Sequence, residues 1–172
     1  MDSQSKLSPN CSSMKVDRPF PRAYLLTVID TNVLISASLV RPSVPATCVD
    51  SVLTSGRLVF TETTLSEFES RIWKPKFDKY LSIEHRRKII NDAGAAALIV
   101  AVPEELSQKK YSTDPDDDAF IHAAIAAGSE RLISGDPHLL SVRSVGPLRI
   151  VTPREAFEEI LGETSHSYPL NP

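Results

Sequence analysis

The chain contains little cysteine and no long apolar run. Cys11 and Cys48 are the only two cysteines in 172 residues, so we expect no disulfide framework and a reducing compartment. No hydrophobic stretch approaches the roughly 20 residues that a membrane-spanning helix needs. The N-terminus also lacks the apolar core of a secretion signal. These absences argue against membrane-spanning and disulfide-stapled secreted classes and predict a cytoplasmic protein.

A strong excess of charge is missing as well. The 19 Lys and Arg residues against 22 Asp and Glu give a net charge of -3 and a pI near 5.8. The whole molecule therefore has no general attraction to nucleic acid or to a membrane surface, and any basic surface must be local. The hydrophobic fraction of 41% and the charged fraction of 24% are ordinary for a soluble globular domain.

Composition divides the chain into one domain with two tails. Residues 1–22 are rich in Ser, Pro and charge, which predicts a disordered N-terminal extension, and Met14 offers an alternative start just before the first strand. Residues 23–162 carry the hydrophobic segments of a single folded domain. Residues 163–172 are predicted to be a loose C-terminal tail.

Short apolar strands alternate with helical segments along this domain. Strands are predicted at the apolar run that ends before Asp30 and at residues 57–61, 98–102, 131–134 and 148–151. Helices are predicted at residues 46–54, 63–73, 82–97 and 117–127, and from Thr152-Pro153 to Gly162. This alternation predicts an α/β fold with a mainly parallel central sheet and helices on both faces.

Two predicted strands are followed directly by an aspartate. Asp30 ends the run Leu25–Ile29, and Asp136 follows residues 131–134. A carboxylate in such a place is costly to desolvate unless a positive group compensates it. Ligand sites of open α/β sheets lie beyond the carboxyl ends of the strands. A simple Gly-Asp-Pro turn is an alternative explanation for Asp136, whereas Asp30 is harder to explain structurally.

Two predicted helices begin with acidic residues. Glu67 stands three residues after Thr64, which is also the spacing of a capping box that needs no function. The run Asp116–Asp118 opens the next helix, where negative charge is favourable in any case. Helical spacing puts Asp117 at the top of an apolar stripe facing the sheet, so Asp117 is the preferred inward carboxylate and Asp118 the second choice.

Strand ends and helix starts share one edge of a parallel sheet, so all four acidic positions are expected to meet there. Clustered carboxylates repel one another unless cations compensate them. Oxygen ligands suit Mg²⁺ or Mn²⁺, and such ions can activate water for in-line attack on a phosphodiester. Three short polar side chains beside the aspartates are predicted to orient the carboxylates or the phosphate: Thr31, Asn32 and Ser134.

These motifs together resemble the PIN-domain family, and most closely the VapC-like toxins of bacterial toxin–antitoxin pairs. Four segments over roughly residues 24–161 carry the resemblance: Val28–Leu34, Leu65–Phe68, Asp114–Ala124 and Leu132–Asp136. By motif, the catalytic acidic quartet is matched by Asp30, Glu67, Asp117 and Asp136. Asp118 is an alternative third member because its shorter spacing to Asp136 is found in many relatives. Ser134 stands where Thr is common, which keeps the hydroxyl.

The resemblance implies a three-layer α/β/α sandwich and an Mg²⁺- or Mn²⁺-dependent ribonuclease. It also implies frequent homodimers or higher oligomers and inhibition by a small cognate antitoxin protein. Two rival functions fit the same residues. One is a non-catalytic RNA- or protein-binding module on the same fold. The other is a phosphotransfer enzyme with Asp30 as nucleophile, although that chemistry, again by resemblance, usually has a second Asp where Asn32 stands.

A basic segment with interleaved aromatics is the predicted contact surface for RNA or a partner. Basic side chains engage phosphates, and exposed aromatics stack on unpaired bases. An ordinary solvated face and a groove for an antitoxin helix are the alternatives. The basic residues are Arg71, Lys74, Lys76, Lys79, Arg86, Arg87 and Lys88.

Overall fold

The computed structural model describes residues 22–162 of the chain. The predicted extension over residues 1–22, apart from Arg22, and the predicted tail over residues 163–172 lie outside the described residues. No helix in residues 22–162 is long and apolar enough to cross a membrane.

The described residues build one sheet with β1 near its centre. The strand order is β3-β2-β1-β4-β6-β5, and every neighbouring pair is parallel except β5 with β6. The strands are β1 (Leu26–Ile29), β2 (Arg57–Phe60), β3 (Ala97–Ile99), β4 (Arg131–Ile133), β5 (Ser144–Val145) and β6 (Leu148–Val151). The prediction of a mainly parallel sheet is confirmed.

Helices connect the parallel strands. They are α1 (Thr31–Leu39), α2 (Val44–Ser55), α3 (Glu62–Ile72), α4 (Ile83–Ala96), α5 (Glu104–Ser107), α6 (Pro115–Ala127), α7 (Pro137–Val142) and α8 (Pro153–Leu161). Two 3-10 turns, Arg22–Tyr24 and Pro75–Phe77, complete the path. Gly128 ends α6 in the left-handed conformation with φ 65°, which glycine favours directly after a helix.

Two hydrophobic cores lie on opposite faces of the sheet. Because side chains alternate along a strand, Ile29 of β1 belongs to the core under α1, α2, α3, α4 and α8. Its neighbour Val28 belongs to the core under α6 and α7. Phe60 and Val59 of β2 divide in the same way. The predicted three-layer α/β/α sandwich is confirmed.

Several elements differ from the sequence prediction, among them α5, for which no helix was predicted. Helix α1 was not predicted, because its residues continue the apolar run of β1 and five of the nine are buried. Strand β5 has only two residues and pairs antiparallel with β6, too short for a periodic pattern to reveal. Helix α3 begins at Glu62 rather than Thr63, which changes the position of Glu67 within it.

Candidate functional site

Asp30 joins the central strand to the first helix. It follows β1 directly and is buried. As the N-cap of α1, its Oδ1 accepts a hydrogen bond from the backbone N–H of Asn32 at 2.9 Å. Aspartate commonly makes this hydrogen bond at an N-cap. Its Oδ2 accepts the hydroxyl of Ser134 at 2.7 Å. The carboxylate is thus fixed in place by both oxygens.

Ser134 links the ends of two neighbouring strands. The register that pairs Ile29 of β1 with Ile133 of β4 places the next residues, Asp30 and Ser134, side by side. The fully buried Ser134 hydroxyl also accepts the backbone N–H of Asp136 at 2.9 Å. Asp136 in turn caps α7 by accepting the backbone N–H of His138 at Oδ1, at 2.8 Å. One hydroxyl therefore positions both aspartates.

Glu67 lies on the face of α3 that is turned to Asp30. It is the sixth residue of the helix, so the predicted first-turn position is wrong. The helix is capped by Thr61 and Thr64 instead, which also removes the capping-box explanation for Glu67. Burial raises the pKa of Glu67, an effect that the nearby Arg71 opposes and the Asp30 carboxylate adds to. Arg71 Nε lies 2.9 Å from Glu67 Oε1.

The two neighbouring aspartates of α6 have different surroundings. Burial and then the Asp136 carboxylate raise the pKa of Asp117, with a further increase from Asp30; the Ser112 hydroxyl, 3.2 Å from Asp117 Oδ2, lowers it. Asp118 instead accepts two backbone N–H groups at Oδ1, from Tyr111 at 2.9 Å and Ser112 at 2.8 Å. Asp117 faces the other carboxylates, whereas Asp118 holds the loop before α6.

The electrostatic effects connect the four predicted positions. The Asp30 carboxylate raises the pKa of both Glu67 and Asp117, and Asp136 raises that of Asp117. The Asp116 carboxylate also raises the pKa of Glu67, a contribution that the sequence did not predict. Within residues 22–162, no three His, Cys, Asp or Glu side chains form a ready-made metal-binding group. The carboxylates lie on one edge, each held by its own local donors.

The predicted polar neighbours have distinct contacts. The Thr31 hydroxyl oxygen is buried and has no hydrogen-bond partner among the described residues. It is nevertheless near enough to the Glu67 carboxylate to lower the pKa of that group. Asn32 is exposed, and its Oδ1 accepts a hydrogen bond from Arg71 Nη1 at 3.4 Å. Thr31 and Arg71 therefore both act on the Glu67 carboxylate.

The basic segment is only partly available to a ligand. Arg86 is buried, donates to Asp78 at 2.8 Å and lies over the ring of Trp73. Its guanidinium therefore stabilises the fold and is not part of an exposed contact surface. Lys88 pairs with Asp92 at 2.7 Å. The remaining exposed cations are Lys74, Lys76, Lys79 and Arg87.

Comparisons with known proteins agree with this geometry. A family model described as PIN domain matches residues 27–138. The chain is 30% identical over 141 residues to the uncharacterized protein MJ1680 of Methanocaldococcus jannaschii, covering 77% of this chain and 89% of the relative.

Two solved structures share the fold. VapBC2 from Rickettsia felis, crystallised with a DNA fragment from its promoter, matches with a TM-score of 0.51 at 14% identity over 74% of this chain and 98% of that one. PAE2754 from Pyrobaculum aerophilum matches with a TM-score of 0.51 at 13% identity over 81% of this chain and 91% of that one. Because the PIN domain model matches more than half of the chain, the chain belongs to the PIN domain family.

Proposed function

We propose that this protein is a metal-dependent endoribonuclease that hydrolyses RNA phosphodiester bonds at the acidic edge. Membership of a family of nucleases supports hydrolysis. The observation that carries the proposal is the position of Asp30 at the end of β1, where the Ser134 hydroxyl connects it to Asp136. The Asp30 charge also raises the pKa of Glu67 and Asp117. Carboxylates gathered in this way repel one another and are stabilised by a cation.

The donors at this edge fit Mg²⁺ or Mn²⁺. They are carboxylate and hydroxyl oxygens, the ligands that these hard ions prefer. The buried Thr31 hydroxyl, which lowers the pKa of Glu67, adds an uncharged oxygen to this donor set. The residues proposed to hold the metal are Asp30, Glu67, Asp117 and Asp136.

The surrounding residues prepare the site for a phosphodiester. A bound divalent ion would supply activation of water and stabilisation of the leaving oxygen. Ser134 fixes the Asp30 carboxylate through Oδ2, which leaves less reorganisation for the reaction. Arg71 reaches both Glu67 and Asn32 and brings a positive charge to the edge where a phosphate would lie. Lys74, Lys76, Lys79 and Arg87 are proposed to contact the RNA backbone.

A toxin role is the finer part of the proposal. The similarity in fold to VapBC2, which was crystallised with promoter DNA, supports a cognate antitoxin as partner. A homodimer or higher oligomer is the assembly that we propose. We place this activity in the cytoplasm, where RNA and an antitoxin would be met. A short upstream reading frame for a DNA-binding antitoxin, overlapping this gene, is the expected genomic context.

Digestion of total RNA tests the enzyme. The wild-type protein should cleave RNA with Mn²⁺ and stop when EDTA is added, and Asp30→Asn and Asp136→Asn should abolish cleavage. Asp92→Asn is the control, because Asp92 is exposed and pairs with Lys88. RNA binding that needs no divalent ion and survives Asp30→Asn, without cleavage, would instead support the rival reading of a binding module.

A further inference from the structure

An open groove lies directly beside the acidic edge. It has a volume of about 330 Å³ and shares Asp136 and Asn32 with that edge. A volume of this order is enough for a small ring system. Its walls are formed by Pro45, Pro137 and Pro153 together with the exposed side of α1. The groove therefore continues the acidic edge rather than forming a separate site.

The three prolines give the groove an apolar character. Pro137 and Pro153 are the first residues of α7 and α8, and Pro45 is the second residue of α2. Helix N-termini usually offer N–H groups to anions, but proline has none. Backbone donors near these prolines are used by caps: Ala46 N–H by Ser43, His138 N–H by Asp136, and Glu155 N–H by Thr152. The lining prolines therefore suit a flat apolar group better than a phosphate.

One edge of the groove is polar. Asn32 and Ser36 are both exposed and lie four residues apart on α1, so they share one face of the helix. Asn32 Oδ1 accepts from Arg71, which leaves its NH₂ group to donate elsewhere. The Ser36 hydroxyl has no side-chain hydrogen bond within the described part of the chain. An amide donor and a hydroxyl beside an apolar slot can hydrogen-bond to the edge of an unpaired nucleobase.

We propose that this groove binds one unpaired nucleobase of the RNA, next to the phosphate held at the carboxylates. The inference rests on the proposed RNA substrate and adds the origin of base selectivity. Because Asp136 belongs to both the groove and the acidic edge, base and phosphate come from the same or adjacent nucleotides. A base in the groove has left its stack, so single-stranded RNA is the preferred substrate.

Fluorescence anisotropy with defined oligonucleotides tests the groove separately from catalysis. All proteins carry Asp30→Asn, so that no cleavage interferes. The probes are fluorescein-labelled single-stranded RNA decamers of adenosine or uridine, and an abasic ribose-phosphate decamer of the same charge. Ser36→Leu fills the groove without adding charge or an aromatic ring. Thr54→Leu is the matched control, since Thr54 is exposed and lies about 14 Å along α2 from Pro45.

The parent protein should bind at least one base-bearing decamer about tenfold more tightly than the abasic decamer. Ser36→Leu should remove most of this preference without changing the affinity for the abasic decamer, and Thr54→Leu should keep it. A full preference in Ser36→Leu, no preference in the parent, or an equal loss for both kinds of decamer would overturn the proposal. None of these outcomes depends on RNA cleavage, so failure of the groove and failure of the nuclease proposal are distinguishable.

Discussion

The Ser134 hydroxyl lies 2.7 Å from Asp30 Oδ2 and donates its only proton to that carboxylate. The same oxygen accepts the backbone N–H of Asp136. Both contacts follow from the parallel register of β1 and β4, which sets the two strand ends side by side. A single buried hydroxyl therefore orients the two aspartates that sequence reasoning had placed at strand ends.

Replacement of this hydroxyl should disturb both fold and site. Ser134→Ala leaves a buried carboxylate oxygen and a backbone N–H without their partner, which should lower the free energy of unfolding by about 1–3 kcal/mol. Urea denaturation measures this loss. Ser134→Thr keeps the hydroxyl and should retain RNA cleavage, whereas Ser134→Ala should reduce it. Equal stability and activity in Ser134→Ala and wild type would refute the role given to this hydroxyl.

Asp117 should make the metal-free protein less stable at neutral pH. Burial and the Asp136 carboxylate raise its folded pKa above the unfolded value. Between these two pKa values the folded state binds more protons than the unfolded state, so the free energy of unfolding falls as pH rises through that interval. In EDTA at pH 7, Asp117→Asn should therefore raise the Tm by a few degrees, on the order of 2–4 °C.

The same comparison has an internal control. Below the ordinary pKa of aspartate, about 4, the advantage of Asp117→Asn over wild type should disappear, because Asp117 is then protonated in both states. Mn²⁺ at neutral pH should reverse the order by stabilising only the wild type. A wild-type protein that is more stable than Asp117→Asn in EDTA at pH 7 would contradict the account.

Alanine substitutions of Asp117 and Asp118 should have different effects on stability and on Mn²⁺ affinity. Asp118→Ala removes the acceptor for the Tyr111 and Ser112 N–H groups and should cost about 1–3 kcal/mol of stability without changing Mn²⁺ affinity. Asp117→Ala should weaken Mn²⁺ binding by about tenfold or more. Calorimetric titration of both variants decides the assignment. An equal loss of Mn²⁺ affinity in the two would show that both carboxylates are ligands.

The sequence predicts which edge of the sheet carries the carboxylates better than it predicts the orientation of each carboxylate. Asp30 and Asp136 follow apolar strands, and in a parallel sheet that alone places them on the carboxyl edge. Helical spacing favoured Asp117, and the Asp136 and Asp30 carboxylates both raise the pKa of that residue. Helical spacing could not reveal that the Asp118 carboxylate accepts backbone N–H groups of the preceding loop, because the path of that loop depends on tertiary packing.

Other features were hidden because local patterns are ambiguous. The Thr64-to-Glu67 spacing imitates a capping box, but Thr61 starts the helix earlier and pairs with Thr64. The charged run around Arg86 predicts a surface cation, yet the fold buries Arg86 over the ring of Trp73. That burial depends on how the chain folds back between Trp73 and Arg86, which residue spacing alone does not reveal.

Arg71 should control the charge of Glu67. Its guanidinium opposes the increase in the pKa of Glu67, so Arg71→Gln should raise that pKa further and Arg71→Lys should largely preserve it. Because Arg71 is also a positive charge at the proposed cation site, Arg71→Gln at pH 8 should tighten Mn²⁺ binding while weakening RNA binding. NMR titration of the Glu67 carboxyl and calorimetry measure the two effects. Weaker Mn²⁺ binding in Arg71→Gln would show that Arg71 only orients Glu67.

The neighbours Arg86 and Arg87 form a matched pair. Arg86→Ala removes a buried guanidinium that pairs with Asp78 and packs on Trp73, and it should lower stability by about 2 kcal/mol. Arg87→Ala should leave stability unchanged and reduce the slope of log K for RNA against log salt by up to about one. Urea denaturation and binding at several salt concentrations check both. An unchanged slope in Arg87→Ala would remove this residue from the RNA surface.

Calorimetric titration of Mn²⁺ tests the central claim most directly, because it asks whether the acidic edge is one cation site. The wild-type protein should bind Mn²⁺ saturably, and Asp30→Asn, Glu67→Gln, Asp117→Asn and Asp136→Asn should each weaken binding by about tenfold or more. Asp92→Asn should bind as the wild type does. Mn²⁺ affinity that is the same in Asp30→Asn and in the wild type would contradict the account.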